Sequence, residues 1–290
     1  MAHSANNGRL LIALLLLALP APSFAQPNCQ LARVSSIAFG TDEYGGIYVP
    51  ITMAGHDENL LVDTGSIYGM LSSDVADELK LSRRAIDMFR MRLKMVDGKR
   101  LDQYVVADSV KLGDLAADKM GFVVMPADRL PSQIAGTLGP DVMHNYDVDF
   151  DFGGGKFNLF SQNHCEGQVV YWTRQPYAQI SMRLDEFWHI LFPVVLDGQH
   201  LTATLDTGSS RSFLRGDVAK EMFGWDGKST PAFKSLVLED VTVKHPDVAV
   251  VPGDSGDGPQ IVIGMGILRR LHLYIAYKEQ KIYVTPVDAH

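Results

Sequence analysis

Two segments of this chain carry the same tetrapeptide, Asp63-Thr64-Gly65-Ser66 and Asp206-Thr207-Gly208-Ser209. The residue types suit a carboxylate presented at the end of a strand. Gly lets the backbone turn sharply and approach an opposing loop where a Cβ would collide. Thr is short and branched, with a hydroxyl able to reach across to a partner loop. Ser66 and Ser209 can donate to the carboxylates and fix their orientation. If Asp63 and Asp206 face each other, both cannot ionise, so they share one proton. The ionised carboxyl can then take a proton from water while the protonated one polarises a carbonyl.

At about 5–7% usage per residue, one chance copy in a chain this long is expected a few times in a thousand, and two matched copies roughly once in a hundred thousand. A single copy would read equally well as a turn closing a strand. The paired copies point to chemistry.

The surroundings repeat as well. Tyr48–Gly55 runs into Leu60-Leu61-Val62 and Asp63, and Phe192–Gly198 runs into Ala203-Thr204-Leu205 and Asp206. Each reads as a β-hairpin ending on the aspartate. A second block pairs Thr137-Leu138-Gly139 with Val262-Ile263-Gly264. Both copies continue into one helical turn and a hairpin of alternating strands. Helical signals are confined to Ser72–Leu81 and Arg215–Phe223. The chain therefore reads as mostly β, in two lobes related by a pseudo-two-fold axis. The first lobe spans 26–162 and the second 180–290, with a polar Gly- and Pro-containing linker or shared strand at 163–179.

Residues 1–25 read as a secretory signal peptide: Arg9, a short apolar run over Leu10–Leu19, then Pro20–Ala25 as a small-x-Ala site. The run is about half of what a bilayer crossing needs; retention as an anchor is the alternative. Nothing after it is long and apolar enough to span a membrane. Export to a periplasmic or extracellular space is expected. There, Cys29 and Cys165 either pair in a disulfide or remain two thiols.

The 290 residues are 46% hydrophobic and 21% charged, enough for a packed core, and the net charge of −8 excludes a nucleic-acid partner. Nine histidines show no His-x-x-x-His spacing with a nearby carboxylate, so no metal is expected. Gly253–Gly258 lacks the spacing of a calcium loop and reads as solvated surface.

These motifs together resemble the pepsin and retropepsin superfamily, particularly its short bacterial members. The resemblance covers most of the mature chain and rests on both Asp-Thr-Gly-Ser segments and both apolar-apolar-Gly segments. It implies a pepsin-like acid protease fold: two β-barrel-like lobes of six-stranded type with a few short helices, in which each apolar-apolar-Gly segment passes behind an Asp loop. It also implies an aspartic endopeptidase that binds an extended peptide or protein substrate in the inter-lobe cleft, cuts beside apolar residues, and needs no cofactor. The alternative is a weak or inactive peptide-binding module on the same fold. A chain holding both halves needs no second copy, so a monomer is expected.

The first lobe is longer between its two motifs, and the surplus holds alternation around Asp97-Gly98, a strong hairpin signal. By the resemblance this is a single flap over the substrate, with Val96, Asp97 and Gly98 at its turn. The nearest aromatic to that turn is Tyr104. Residues 26–48 contain Arg33 as their one basic residue, unlike the basic propeptide of pepsinogens. An acidic optimum follows if the Ser66 and Ser209 hydroxyls stabilise the ionised pair.

Overall fold

A computed structural model describes residues 30–87, 93–95, 98–229, 231–252, 256 and 258–288. Residues 1–29, Cys29 among them, Val96, Asp97 and most of the 253–258 loop lie outside them. Among the described residues strands dominate, and the α-helices are short: Ser73–Glu78, Pro140–Met143, Gly216–Phe223 and Met265–Leu268.

Strand periodicity explains the two hairpins that lead to the aspartates. Along Ile47–Met53, Ile47, Val49, Ile51 and Met53 point inward and are almost fully buried, while the alternate residues are more open. This strand pairs with His56–Val62, and Ile190–Leu196 pairs with Gln199–Leu205 in the same way. Toward the aspartates the alternation stops: Leu60, Leu61 and Val62 are all buried, as are Ala203, Thr204 and Leu205. These strand ends are covered on both faces.

Beside these ends the apolar-apolar-Gly segments enter the sheet. Gly136–Leu138 inserts parallel to His56–Val62 and antiparallel to Met70–Ser72. Ile261–Ile263 does the same against Gln199–Leu205 and Ser212–Arg215. Each insertion ends on a matched bond, Asp63 N–H to Leu138 O and Asp206 N–H to Ile263 O, both 3.0 Å. The crossing behind each Asp loop is thus present twice.

Each lobe sheet has eight strands rather than six. In the first lobe the long hairpin Gln103–Leu112 with Leu115–Met125 extends the sheet, and Thr52 pairs back with Lys111 to close it. The remaining strands form a third, six-stranded sheet to which both halves of the chain contribute. Arg33–Ala38, Lys156–Phe160 and Asp147–Asp151 come from the first half; Leu271–Ala276, Lys281–Pro286 and Ala178–Ser181 come from the second. The halves meet where Asp147–Asp151 runs antiparallel to Leu271–Ala276. In that register Asp149 faces Tyr274, its own counterpart in the repeat. The pseudo-two-fold axis passes between them.

Candidate active site

The two Asp-Thr-Gly loops meet through their threonines. Thr64 N–H donates to Thr207 Oγ1 at 3.1 Å, and Thr207 N–H donates to Thr64 Oγ1 at 3.0 Å. Each hydroxyl then donates across the axis to a main-chain oxygen: Thr64 to Leu205 O at 2.9 Å, and Thr207 to Val62 O at 2.6 Å. All four bonds are buried, where an unmade partner would be costly. The loops are thereby fixed to each other.

This clamp sets the carboxyls face to face. A Cβ built on Gly65 would strike the Asp206 carboxyl, and one on Gly208 would strike that of Asp63. Only glycine admits this approach. The two carboxyls are within hydrogen-bond reach of each other. Each also accepts main-chain donors: Asp63 Oδ1 from Gly65 N–H at 3.0 Å, and Asp206 Oδ1 from Gly208 and Ser209 N–H at 2.9 and 3.0 Å. Both residues are half-buried.

The serine hydroxyls do not act as expected. Ser66 Oγ–H donates to the Asp63 main-chain oxygen, and Ser209 Oγ–H to Arg211 O at 2.8 Å. A hydroxyl committed to a main-chain acceptor cannot also steady the carboxylate, so that task passes to the loop N–H groups. The expected lowering of the pair fails with it. Burial, then the nearby Asp206, pushes Asp63 up to about 7 against the pull of those N–H groups. Burial raises Asp206 as well.

Two cavities lie beside the chain segments of the two loops. One, of about 500 Å³, reaches Gly208 and Ser210 of the second loop and is walled by Tyr44, Leu61, Leu130 and Pro131. The other, of about 540 Å³, begins just past the first loop and is walled by Tyr68, Ile86, Tyr104, Phe122 and Val123, with Asp141 at its edge. Tyr104 therefore lines this second cavity from the strand Gln103–Leu112 and does not sit at a hairpin tip. The hairpin itself is present: Leu93–Lys94 pairs with Arg100–Leu101, and Gly98 N–H donates to Met95 O at 2.8 Å. Leu93 and Leu101 pack with Val123, against Ile67 and Tyr68 that follow the first loop.

Cys165 is disulfide-bonded; its expected partner, Cys29, lies outside the described residues. Among the described residues no three His, Cys, Asp or Glu side chains converge as a metal cage would require.

A third repeated element escaped the sequence reading. Asp42 and Asp185 each stand 21 residues before an aspartate of the pair, and each folds the same turn. Asp42 Oδ1 accepts from Tyr44 and Gly46 N–H; Asp185 Oδ1 accepts from Phe187 and His189 N–H, all at 2.8–2.9 Å. Equal spacing to the tetrapeptides was the signal that could have found it. In the second copy the turn ends on His189, whose Nε2 lies 3.1 Å from Ser66 O.

A family model described as aspartyl protease matches residues 49–142, which hold the first tetrapeptide, the hairpin and the first apolar-apolar-Gly segment. Among solved structures the chain is similar to the aspartic proteinase from Irpex lacteus, at 14% identity and a TM-score of 0.57, over 88% of this chain and 97% of that one. No curated protein matches the chain in sequence.

Proposed function

We propose that the chain is an aspartic endopeptidase whose Asp63 and Asp206 activate a water against a peptide bond, a reading supported by the aspartyl-protease family model over residues 49–142 and by the similar fold. The observation that carries this reading is the double threonine clamp with its two opposed carboxyls, close enough to share a proton. The ionised member takes a proton from the water. The protonated member donates to the scissile carbonyl oxygen as the water oxygen bonds to carbon. The resulting diol collapses as the C–N bond breaks, and the leaving nitrogen takes a proton. No covalent intermediate is needed.

The substrate is an extended peptide lying between the lobes. The aromatic walls at Tyr68, Tyr104 and Phe122 support apolar side chains next to the cut. The hairpin around Gly98, anchored on Ile67 and Tyr68, is the candidate flap. An exported, monomeric protein is the setting this reading takes, and the disulfide on Cys165 supports an oxidising compartment.

The test is cleavage of a diverse peptide mixture from pH 3 to 8 by the mature protein. Asp63→Asn and Asp206→Asn should each lower kcat/KM by about 10³-fold or more, and pepstatin should inhibit. Cleavage that survives either substitution overturns the assignment. Peptide binding without any cleavage would leave the fold as a binding module.

A further inference from the structure

The lobes differ at one place beside the pair. Counting back 17 residues from Asp63 reaches Gly46, and from Asp206 reaches His189. One residue earlier stand Gly45 and Trp188, both with positive φ, 84° and 62°. A left-handed backbone suits Gly45, but it costs a bulky residue on the order of 1 kcal/mol. The Trp188 ring stacks on His144 at 4.2 Å and 12°, which holds it in place. The chain thus keeps a strained turn where the other lobe has two glycines. The consequence of that turn is to set an imidazole against Ser66 of the first loop.

We propose that His189 is a positioning residue that places a positive charge beside the Asp63–Asp206 pair and favours its ionised form. The hydrogen bonds point to the charge. His189 Nδ1 lies 2.8 Å from Asp185 Oδ2, and its Nε2 lies 3.1 Å from Ser66 O. A carboxylate and a carbonyl both accept, so both ring nitrogens must donate, and only the imidazolium has two N–H groups. Asp185 is itself fixed by the two turn N–H groups. Ser66 belongs to the first Asp-Thr-Gly-Ser loop, so the contact also ties the second lobe to that loop.

Asp185 on its own turn pairs with the ring at 2.8 Å, and Asp63 in the first loop and Asp206 in the second lie within the reach of its charge. The Phe187 ring, 6.2 Å away, is the aromatic neighbour on the same turn. Against the burial that raises both aspartates, His189 pulls each of them down. Gly46, at the equivalent place in the first lobe, has no side chain to do the same; there the Arg269 guanidinium instead donates to Gly45 O at 3.0 Å.

The inference rests on the proton-sharing pair described above, and its test separates the two. His189→Gln removes the charge. Asp185→Asn keeps the turn, since an amide oxygen still accepts its N–H groups, but no longer requires the ring to be charged. In both variants the pH profile of kcat/KM should move to higher pH, by about half a unit or more for His189→Gln. The carboxyl carbons of Asp63 and Asp206, followed by carbon-13 NMR from pH 3 to 9, should titrate correspondingly later whether or not any peptide is cut. A fall in kcat with the profile and the NMR titration unmoved would show a structural role and overturn the proposal. A shifted titration in a chain that cuts nothing would uphold His189 and sink the peptidase reading instead. Urea unfolding of each variant identifies loss of fold, and either variant alone suffices for the NMR comparison.

Discussion

At the scale of single residues, Asp63 combines function with a stability cost. Its carboxyl is pushed up to about 7 by burial and by Asp206, against an ordinary value near 4. A folded carboxyl that holds its proton longer than the unfolded one loses stability as pH rises between those two values. Asp63→Asn cannot ionise and escapes that loss. The stability of the variant relative to the native protein should therefore grow by about 2–4 kcal/mol between pH 4 and pH 8, read from urea unfolding at each pH. A difference that stays flat over that window would mean that Asp63 is not raised. The same shift moves the expected activity away from a strictly acidic optimum. With the serine hydroxyls committed elsewhere, the upper limb of the native pH profile should lie near 7, and a limb below pH 5 would contradict the geometry.

At the scale of elements, the two crossings are what the sequence announces most clearly. Hairpin, tetrapeptide and apolar-apolar-Gly recur in order, and each has a local physical signature. Residues whose roles depend on distant partners were harder to read. Ser66 and Ser209 looked like carboxylate donors because the motif cannot show where a hydroxyl turns. Asp42, Asp185 and His189 sit in a turn of ordinary composition, and only the fold brings that turn to the pair. The strand Asp147–Asp151 alternates in sequence, yet four of its five residues are buried at the centre of a sheet where it pairs with Leu271–Ala276 of the other half.

The crossing also limits what its glycines can become. A Cβ on Gly139 would lie 2.5 Å from Gly69 N and from Tyr68 C, both main chain and unable to swing aside. Gly139→Ala should destabilise the protein by about 2–4 kcal/mol in urea unfolding. Gly55→Ala, on an open turn where no atom lies within 4 Å of the added carbon, should cost less despite its positive φ of 83°. Equal costs at the two positions would show that the crossing is looser than described.

At the scale of the whole molecule, the shared six-stranded sheet joins the two halves, and its centre is polar. Asp147 is buried and accepts from His164 Nε2 at 2.6 Å, from Tyr277 N–H at 3.1 Å and from Tyr274 Oη at 3.3 Å. Asp149 accepts from Asn158 and Tyr171, with His272 Nε2 at 2.7 Å, and Trp172 stacks on the His272 ring. Side chains of the first half, of the 163–179 segment and of the second half thus meet around two buried aspartates, where removing one partner strands another. Burial already pushes Asp147 up to about 6 against the help of His164. His164→Ala should therefore cost about 3–5 kcal/mol, while Asp147→Asn with His164→Ala should cost clearly less than the two single changes summed. Because the sheet is common to both halves, far-ultraviolet circular dichroism and tryptophan fluorescence should report one coincident unfolding transition in the native protein. Simple additivity would remove the pair from the joint, and two separated transitions would mean that the lobes fold independently of the sheet that connects them.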